Sequence, residues 1–276
     1  MSERLFEIKT LKSIIIKSVF EIIKPYIKET NILITAEGLK IATLDTAKSS
    51  LTYIKLNCEK FESYSCTSPI IIGVDTTILF RTIKSANRRE TITFYMNKNE
   101  QDKLGIELSD PFMGKVKDYK INLLNLDDKL INIPSIDYQC VINLPSNQFQ
   151  QIIKDIHLLD GKIVDIQSIG KNICFSCNDG IAELKTNISE LDNNVNKEQL
   201  ELLQQNGEDI RSIKFTQSDN KIIQGRFKLS NLMNFIKASH LCDNMNILLD
   251  NDKPLILEYF IADLGIMRFL LINSSE

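Results

Sequence analysis

Few residues in this chain have the types and spacing that chemistry needs. Cys174 and Cys177 are the one close pair among six cysteines, the others being Cys58, Cys66, Cys140 and Cys242. A CxxC pair can hold a metal or cycle between thiol and disulfide, but a metal site of this kind needs a second pair or a histidine at a set spacing. None stands nearby, and the surrounding ICFSC reads as a strand, so reduced, packed thiols are expected. Asp127-Asp128 is a carboxylate pair in a polar connector without a base or ligand partner, and reads as a solvated acidic loop. The two histidines, His157 and His240, are far apart in sequence. A Gly-rich phosphate loop, HExxH and GxSxG are all missing. The expectation is a non-enzyme with no cofactor and no metal.

What remains is charge carried by helices. Hydrophobic periodicity predicts four: about Leu11 to Lys24, stopped by Pro25; about Thr76 to Ala86, with Asp75 as N-cap; about Asn147 to Leu158; and about Asn231 to His240, with Ser230 as cap. Steps of about 100° per residue sort their faces. The apolar stripes are Leu11, Ile15, Val19 and Ile22 in the first; Ile78, Leu79 and Ile83 in the second; Phe149, Ile152, Ile153 and Ile156 in the third; Leu232, Phe235 and Ile236 in the fourth. Opposite them stand Lys17 and Lys24, Arg81 and Lys84, Lys154 with Gln151, and Lys237. Each helix therefore carries a cation outward, with Glu21 and Asp155 the main acids there. The whole chain is nevertheless acidic, with net charge −3. Positive charge is sorted onto one class of surface. Lysine and arginine aimed that way suit phosphates, which are bound without reading bases.

Short β-runs fill the space between the helices: NILIT, TITFY, LGIEL, KIVDI and IKFTQ. The segments VDTTILFRTIKSANRRETITFY and KLSNLMNFIKASHLCDNMNILL look alike in order, which points to two similar halves. Domain boundaries are expected at 1–124 and 138–276, joined by a connector at 125–137. A polar stretch at 190–209 interrupts the second half as a short surface helix or a mobile loop. A chain of 276 residues, 43% hydrophobic, has ample material for real cores. No apolar run is long enough to span a bilayer. The N-terminal MSERLFEIKT lacks the apolar core of a signal peptide, so a soluble intracellular protein is expected, with no membrane partner.

Six motifs in order carry a resemblance. LEYFIADLGIMRF, at the end of the chain, is two β-runs joined by a tight turn at Ala262-Asp263-Leu264-Gly265. Near the start, Gly38 to Lys48 reads GLKIATLDTAK, followed by Phe61. Between them lie SDP (109–111), KVKDYKINLLNLD (115–127), IPSIDYQC (133–140) and LPSNQF (144–149). Together they resemble the eukaryotic-type sliding clamps, the proliferating cell nuclear antigen family, over nearly the whole chain.

That resemblance implies an α+β clamp fold, two similar domains each with two helices on antiparallel sheet, and a head-to-tail homotrimeric ring with its helices lining the hole. Twelve helices about 10 Å wide place the axes on a circle roughly 38 Å across, leaving about 28 Å for duplex DNA. By residue-wise match, Lys17, Lys24, Arg81, Lys84, Lys154 and Lys237 fall on DNA-facing positions, while Ser18, Gln151 and Leu158 depart from the usual basic residues. A partner-peptide groove falls on Leu44, Lys48, Ser49, Ile131, Ile133, Pro134, Pro254, Leu270 and Ile272, with Asn273 beside them. Subunit contacts fall on Lys115 to Leu123 and about Ala182 to Ile188, with Tyr119, Ile121 and Leu184 as anchors. The implied function is a processivity factor in DNA replication and repair. It encircles duplex DNA without sequence preference and tethers a DNA polymerase and peptide-motif replication and repair proteins. An ATP-driven clamp loader opens the ring. Its place is the nucleus, or a viral DNA replication site. The runner-up is a subunit of a heterotrimeric DNA-damage checkpoint clamp; a rival of another class is a metal protein using Cys174 and Cys177.

Overall fold

The computed structural model describes residues 3–45, 47–127, 131, 137–190, 213–217 and 221–274. The polar stretch at 190–209 therefore lies almost wholly outside the described residues, as does most of the expected connector. The chain divides into two compact units: residues 1–134 with 260–268, and residues 135–259 with 269–276.

The first unit runs β1 (Arg4–Thr10), α1 (Ser13–Ile23), β2 (Glu29–Thr35), β3 (Gly38–Leu44), β4 (Ser50–Asn57), β5 (Ser63–Cys66), β6 (Ile70–Asp75), α2 (Thr76–Ile83), β7 (Thr91–Asn97), β8 (Lys103–Asp110) and β9 (Lys115–Asn122). One of its sheets has the order β5-β1-β7-β8-β9, and the other contains β4-β3-β2-β6. The second unit runs β10 (Cys140–Pro145), α3 (Ser146–His157), β11 (Ile163–Ile169), β12 (Asn172–Asn178), β13 (Glu183–Ser189), β14 (Lys214–Gln217), β15 (Ile222–Lys228), α4 (Leu229–Phe235), β16 (Asn244–Leu249) and β17 (Leu255–Ile261). A 3₁₀ turn at Ile236–His240 continues α4. The last strand, β18 (Gly265–Leu271), contributes its opening residues to the first unit and its end to the second. The second unit contains β14-β10-β16-β17 in one sheet and β13-β12-β11-β15 in another. Element for element, the order and the pairing repeat those of the first unit. All registered pairs are antiparallel, as period-2 burial predicts: β11 reads half-buried, buried in strict alternation through Ser168.

Each helix buries an i, i+3, i+4, i+7 stripe. In α3 it is the expected Phe149, Ile152, Ile153 and Ile156, and in α4 it includes Leu232 and Phe235 with Ile236. Two stripes differ from the sequence reading. In α1 the buried set is Ile16, Val19, Phe20 and Ile23, with Ile22 beside it. Leu11 precedes the helix and is 58% exposed. In α2 the set is Thr76, Leu79, Phe80 and Ile83, and Ile78 is 47% exposed. Both helices are rich in apolar residues on every side, so several phases fit the sequence. The sheets beneath choose the one that buries a phenylalanine. Asp75 caps α2 as expected, its Oδ1 accepting from the Ile78 N–H at 2.8 Å. Ser230 is no cap: α4 begins at Leu229, and Ser230 lies inside its first turn.

The C-terminal turn differs in one respect. Ala262, not glycine, takes the left-handed conformation (φ 47°), and Leu264 N–H donates to the Ile261 carbonyl at 2.9 Å. Gly265 is needed for close approach instead. A Cβ there would lie 1.9 Å from the Lys55 carbonyl oxygen in β4. Lys12 Nζ meets Asp263 at 2.7 Å and holds that carboxyl below the usual range.

Candidate nucleic-acid interface

The cations of the structure fall into two electrostatic classes. Those on strands and strand loops are commonly ion-paired: Lys98 with Glu3 (2.7 Å), Lys103 and Lys120 with Glu100, Lys117 with Glu90 (2.8 Å), Lys185 with Glu183 (2.8 Å), Arg226 with Asp165 (3.1 Å) and Lys253 with Asp250 (2.8 Å). No ion pair among the described residues involves a cation of the four helices. Lys17 lies half-buried in α1. Arg81 and Lys84 are exposed, in and just after α2; Lys154 is exposed on α3, and Lys237 is exposed in the 3₁₀ turn after α4. Lys24 caps α1 with its ammonium 3.4 Å from the Phe80 ring centroid, a cation–π contact that holds it over the helix pair without neutralising it. Lys237 donates to Asn234 Oδ1 at 3.1 Å, again a neutral partner. Unneutralised cations on helices can attract a polyanion; paired ones contribute little field.

The sequence reading passed over the turn after α2. Arg88 and Arg89 are both exposed and form no ion pair among the described residues. The motif SANRRE was legible, but a helical-face count ends where the helix ends. The first unit's helices and the turns behind them thus carry Lys17, Lys24, Lys28, Arg81, Lys84, Arg88 and Arg89 against the exposed acid Glu21 and the buried Glu90. In the second unit Lys154, Lys162 and Lys237 face Asp155, Asp160 and Asp243 in the equivalent segments.

The Cys174/Cys177 pair does not form a site. Both lie on β12, three residues apart and hence on opposite faces. Cys177 is buried, and burial raises its thiol pKa.

Among the strands that end their sheets are β9 and β13. β9 pairs with β8 alone and β13 with β12 alone among the described residues. Their burial patterns are mostly exposed, unlike the nearly continuous burial of β7. Tyr119 and Leu184 are half-buried on these edges, and Ile121 is buried. The β9 edge is fastened inward by Lys117–Glu90, Lys120–Glu100 and the Tyr95 hydroxyl, which donates to Asp118 at 2.7 Å. Burial, with the adjacent Asp118 carboxylate, pushes the Tyr95 phenol up to about 12. The Tyr95 ring lies over Gly105 of β8, where a Cβ would come within 2.2 Å of it.

Residues 5–130 match the N-terminal domain of proliferating cell nuclear antigen, and residues 132–274 match its C-terminal domain. The chain belongs to the proliferating cell nuclear antigen family. It is similar to a protein named "Probable DNA polymerase sliding clamp 1" from Paramecium bursaria Chlorella virus 1, 26% identical over 97% of this chain and 96% of the relative. It is also similar to the proliferating cell nuclear antigen of Dictyostelium discoideum, 26% identical over 99% of this chain and 100% of the relative. Its α+β clamp fold, with two similar domains of two helices each on antiparallel sheet, is that of the family. Proteins of this family are processivity factors rather than enzymes.

The groove positions carried over from the proliferating cell nuclear antigen family fall in both units. In the first, Leu44 ends β3 with its side chain exposed, and Lys48 and Ser49 sit in the turn before β4. Asp45 builds that turn. Its carboxylate accepts from Ser49 N (2.7 Å), Ser49 Oγ (2.8 Å) and Ser50 N (3.1 Å), and Lys48 takes a left-handed φ of 53°. Burial alone would raise the Asp45 pKa, but the hydrogen bonds from Ser50 and Ser49 outweigh it and hold it below the usual range. Ile131 is half-buried, and Ile133 and Pro134 lie outside the described residues. In the second unit the Pro254 carbonyl accepts from the Tyr138 hydroxyl at 2.8 Å, Leu270 is half-buried at the end of β18, and Ile272 is exposed. Asn273 Oδ1 accepts from Arg226 N, and Ser274 N donates to the Arg226 carbonyl, both at 2.8 Å.

Proposed function

We propose that this protein is a DNA sliding clamp whose copies close head to tail into a homotrimeric ring around duplex DNA. The observation that carries the reading is the sorting of charge. The helix cations Lys17, Lys24, Arg81, Lys84, Lys154 and Lys237 are free of ion pairs, while cations on the strands are commonly paired. Contacts from such cations to phosphates are sequence-independent and exchange readily, so a ring held by topology can slide.

The internal repeat supports ring closure. In the duplicated plan β18 corresponds to β9 and β4 to β13. Within the first unit the opening of β18 lies against β4: Asn57 N donates to the Leu264 carbonyl at 2.9 Å, and Gly265 admits the Lys55 carbonyl. The corresponding pair, β9 and β13, is not joined within the chain. Pairing β9 of one copy with β13 of the next repeats that joint between molecules. It is a heterologous contact that closes a ring when the rotation fits, and it covers two edges that would otherwise invite aggregation. Tyr119, Ile121 and Leu184 are the side chains set to meet there.

The positions Leu44, Lys48, Ser49, Ile131, Ile133, Pro134, Pro254, Leu270 and Ile272 are assigned to reception of peptide motifs of a DNA polymerase and of other replication and repair proteins, with the connector at 125–137 joining domains 1–124 and 138–276. An ATP-driven loader opens the ring. The work is done in a nucleus or at a viral DNA replication site. Light scattering should give a particle about three times the 31.6 kDa chain. The triple variant Lys24→Glu, Lys84→Glu, Lys154→Glu should keep that mass and lose stimulation of a DNA polymerase, more so as salt rises. Full stimulation by the variant at every salt concentration would refute the DNA-facing assignment.

A further inference from the structure

The Asn87–Glu90 turn behind α2 is built rather than loose. Glu90 N–H donates to the Asn87 carbonyl at 3.1 Å, and Arg89 N–H donates to Asn87 Oδ1 at 2.9 Å. Asn87 N–H donates to Glu90 Oε2 at 3.0 Å. From α1, the buried Ser13 hydroxyl donates to the Asn87 carbonyl at 2.9 Å. The turn is therefore tied at both ends and to the neighbouring helix, and its two central residues, Arg88 and Arg89, are exposed.

The acid that would ordinarily quench them is withdrawn. Glu90 is 2% exposed, and its Oε1 is held by Lys117 of β9 at 2.8 Å. The segment from Thr76 to Arg89 holds no other acid. Arg88 and Arg89 follow Arg81 and Lys84 in the chain, in the turn beyond the end of α2 at Ile83, so the cations of the turn come directly after those of the helix.

We infer that the Arg88–Arg89 turn is a second phosphate-binding element, which carries the DNA track of each subunit beyond its helices; this rests on the sliding-clamp reading. A planar guanidinium pairs two-pronged with phosphate oxygens. Two of them on a fixed turn, next in the chain to the unpaired cations of α2, suit several phosphates rather than a single carboxylate. The equivalent turn in the second unit, after the 3₁₀ segment, carries His240 and Asp243 and offers no such array. Contact with DNA is therefore concentrated on the first half of each subunit.

The test is fluorescence anisotropy of a labelled duplex titrated with the assembled full-length protein across a salt series. Arg88→Ala/Arg89→Ala should weaken binding and lower the slope of log K against log salt by about 1 to 2, at roughly 0.9 per phosphate contact, with the mass in solution unchanged. Arg88→Lys/Arg89→Lys should keep most of the slope. Wild-type affinity and slope in the alanine pair would overturn the inference. So would an alanine pair that loses binding to labelled polyglutamate while binding the duplex normally, which would make the turn a site for acidic polypeptide. The parallel variant Arg81→Glu/Lys84→Glu separates the two levels. If it weakens and the alanine pair does not, only the turn's role falls; if neither weakens, the DNA-facing reading of the helices falls with it.

Discussion

β1 to β9 with α1 and α2, and β10 to β18 with α3 and α4, follow one order of elements and one scheme of pairing, yet they differ where they meet solvent. In the first half, cations on and behind the helices outnumber acids heavily; in the second they are matched by Asp155, Asp160 and Asp243. The cores differ as well. The second unit stacks Phe235 on Phe269 with centroids 4.2 Å apart, and Tyr259 meets Phe269 edge-on. The first packs Phe6, Phe20 and Phe94 with aliphatic residues such as Val19 and Leu79 around an apolar cavity of about 40 Å³. A duplicated backbone fixes which residues are buried, so the two cores are constrained alike in position. Outward positions are free to specialise, and here one half has taken most of the charge.

The largest effect that would sharpen this comparison is a reversal made one half at a time. Lys24→Glu with Arg81→Glu and Lys84→Glu should cut affinity for duplex DNA by more than tenfold at low salt. Lys154→Glu with Lys237→Glu should cost only a few-fold, because neighbouring aspartates already offset those lysines. Equal losses in anisotropy titrations would break the asymmetry. Next is the junction. Tyr119→Ala on β9 removes a large aromatic from the free edge and should weaken each contact by about 1–3 kcal/mol. The mass seen by light scattering then moves from trimer toward monomer at micromolar protein, with the circular dichroism of each subunit unchanged. A trimer as tight as wild type would remove Tyr119 from the junction. The smallest effect is one of stability. Lys117→Met strands the buried Glu90 carboxylate and should cost about 1–3 kcal/mol, reduced from the fully buried case because Lys117 is partly exposed. Denaturant melts should show the loss, and Lys117→Arg, which keeps the ion pair with Glu90, should show little of it. An equal loss in both variants would mean packing, not charge, was removed.

Much of this was legible before any fold was known. The buried stripe of α3 was legible to the residue because its apolar positions, Phe149, Ile152, Ile153 and Ile156, are separated by polar ones, leaving a single phase. That of α1 was not, because SIIIKSVFEII offers apolar residues in every direction and the stripe shifted from Ile15 to Ile16. The cations on the helices were visible as letters; their freedom from ion pairs was not, since Lys117 and Glu90 are 27 residues apart in sequence. Asp45 was quoted within a motif, but its four-residue reach to Ser49 and beyond becomes a clamp only when the turn before β4 closes.

The sequence by itself determined the family, the two-fold repeat, the antiparallel α+β class and the cations of the helices. These depend on local periodicity and ordered motifs, both of which a linear string preserves. Tertiary structure alone decided three matters. It set which of several apolar phases faces inward, because that depends on the sheet beneath. It left β9 and β13 each with one side unpaired among the described residues, because an edge is a property of the whole sheet order. And it withdrew Glu90 to leave Arg88 and Arg89 unneutralised, because a charge is cancelled by whatever folds against it, not by its neighbour in the chain.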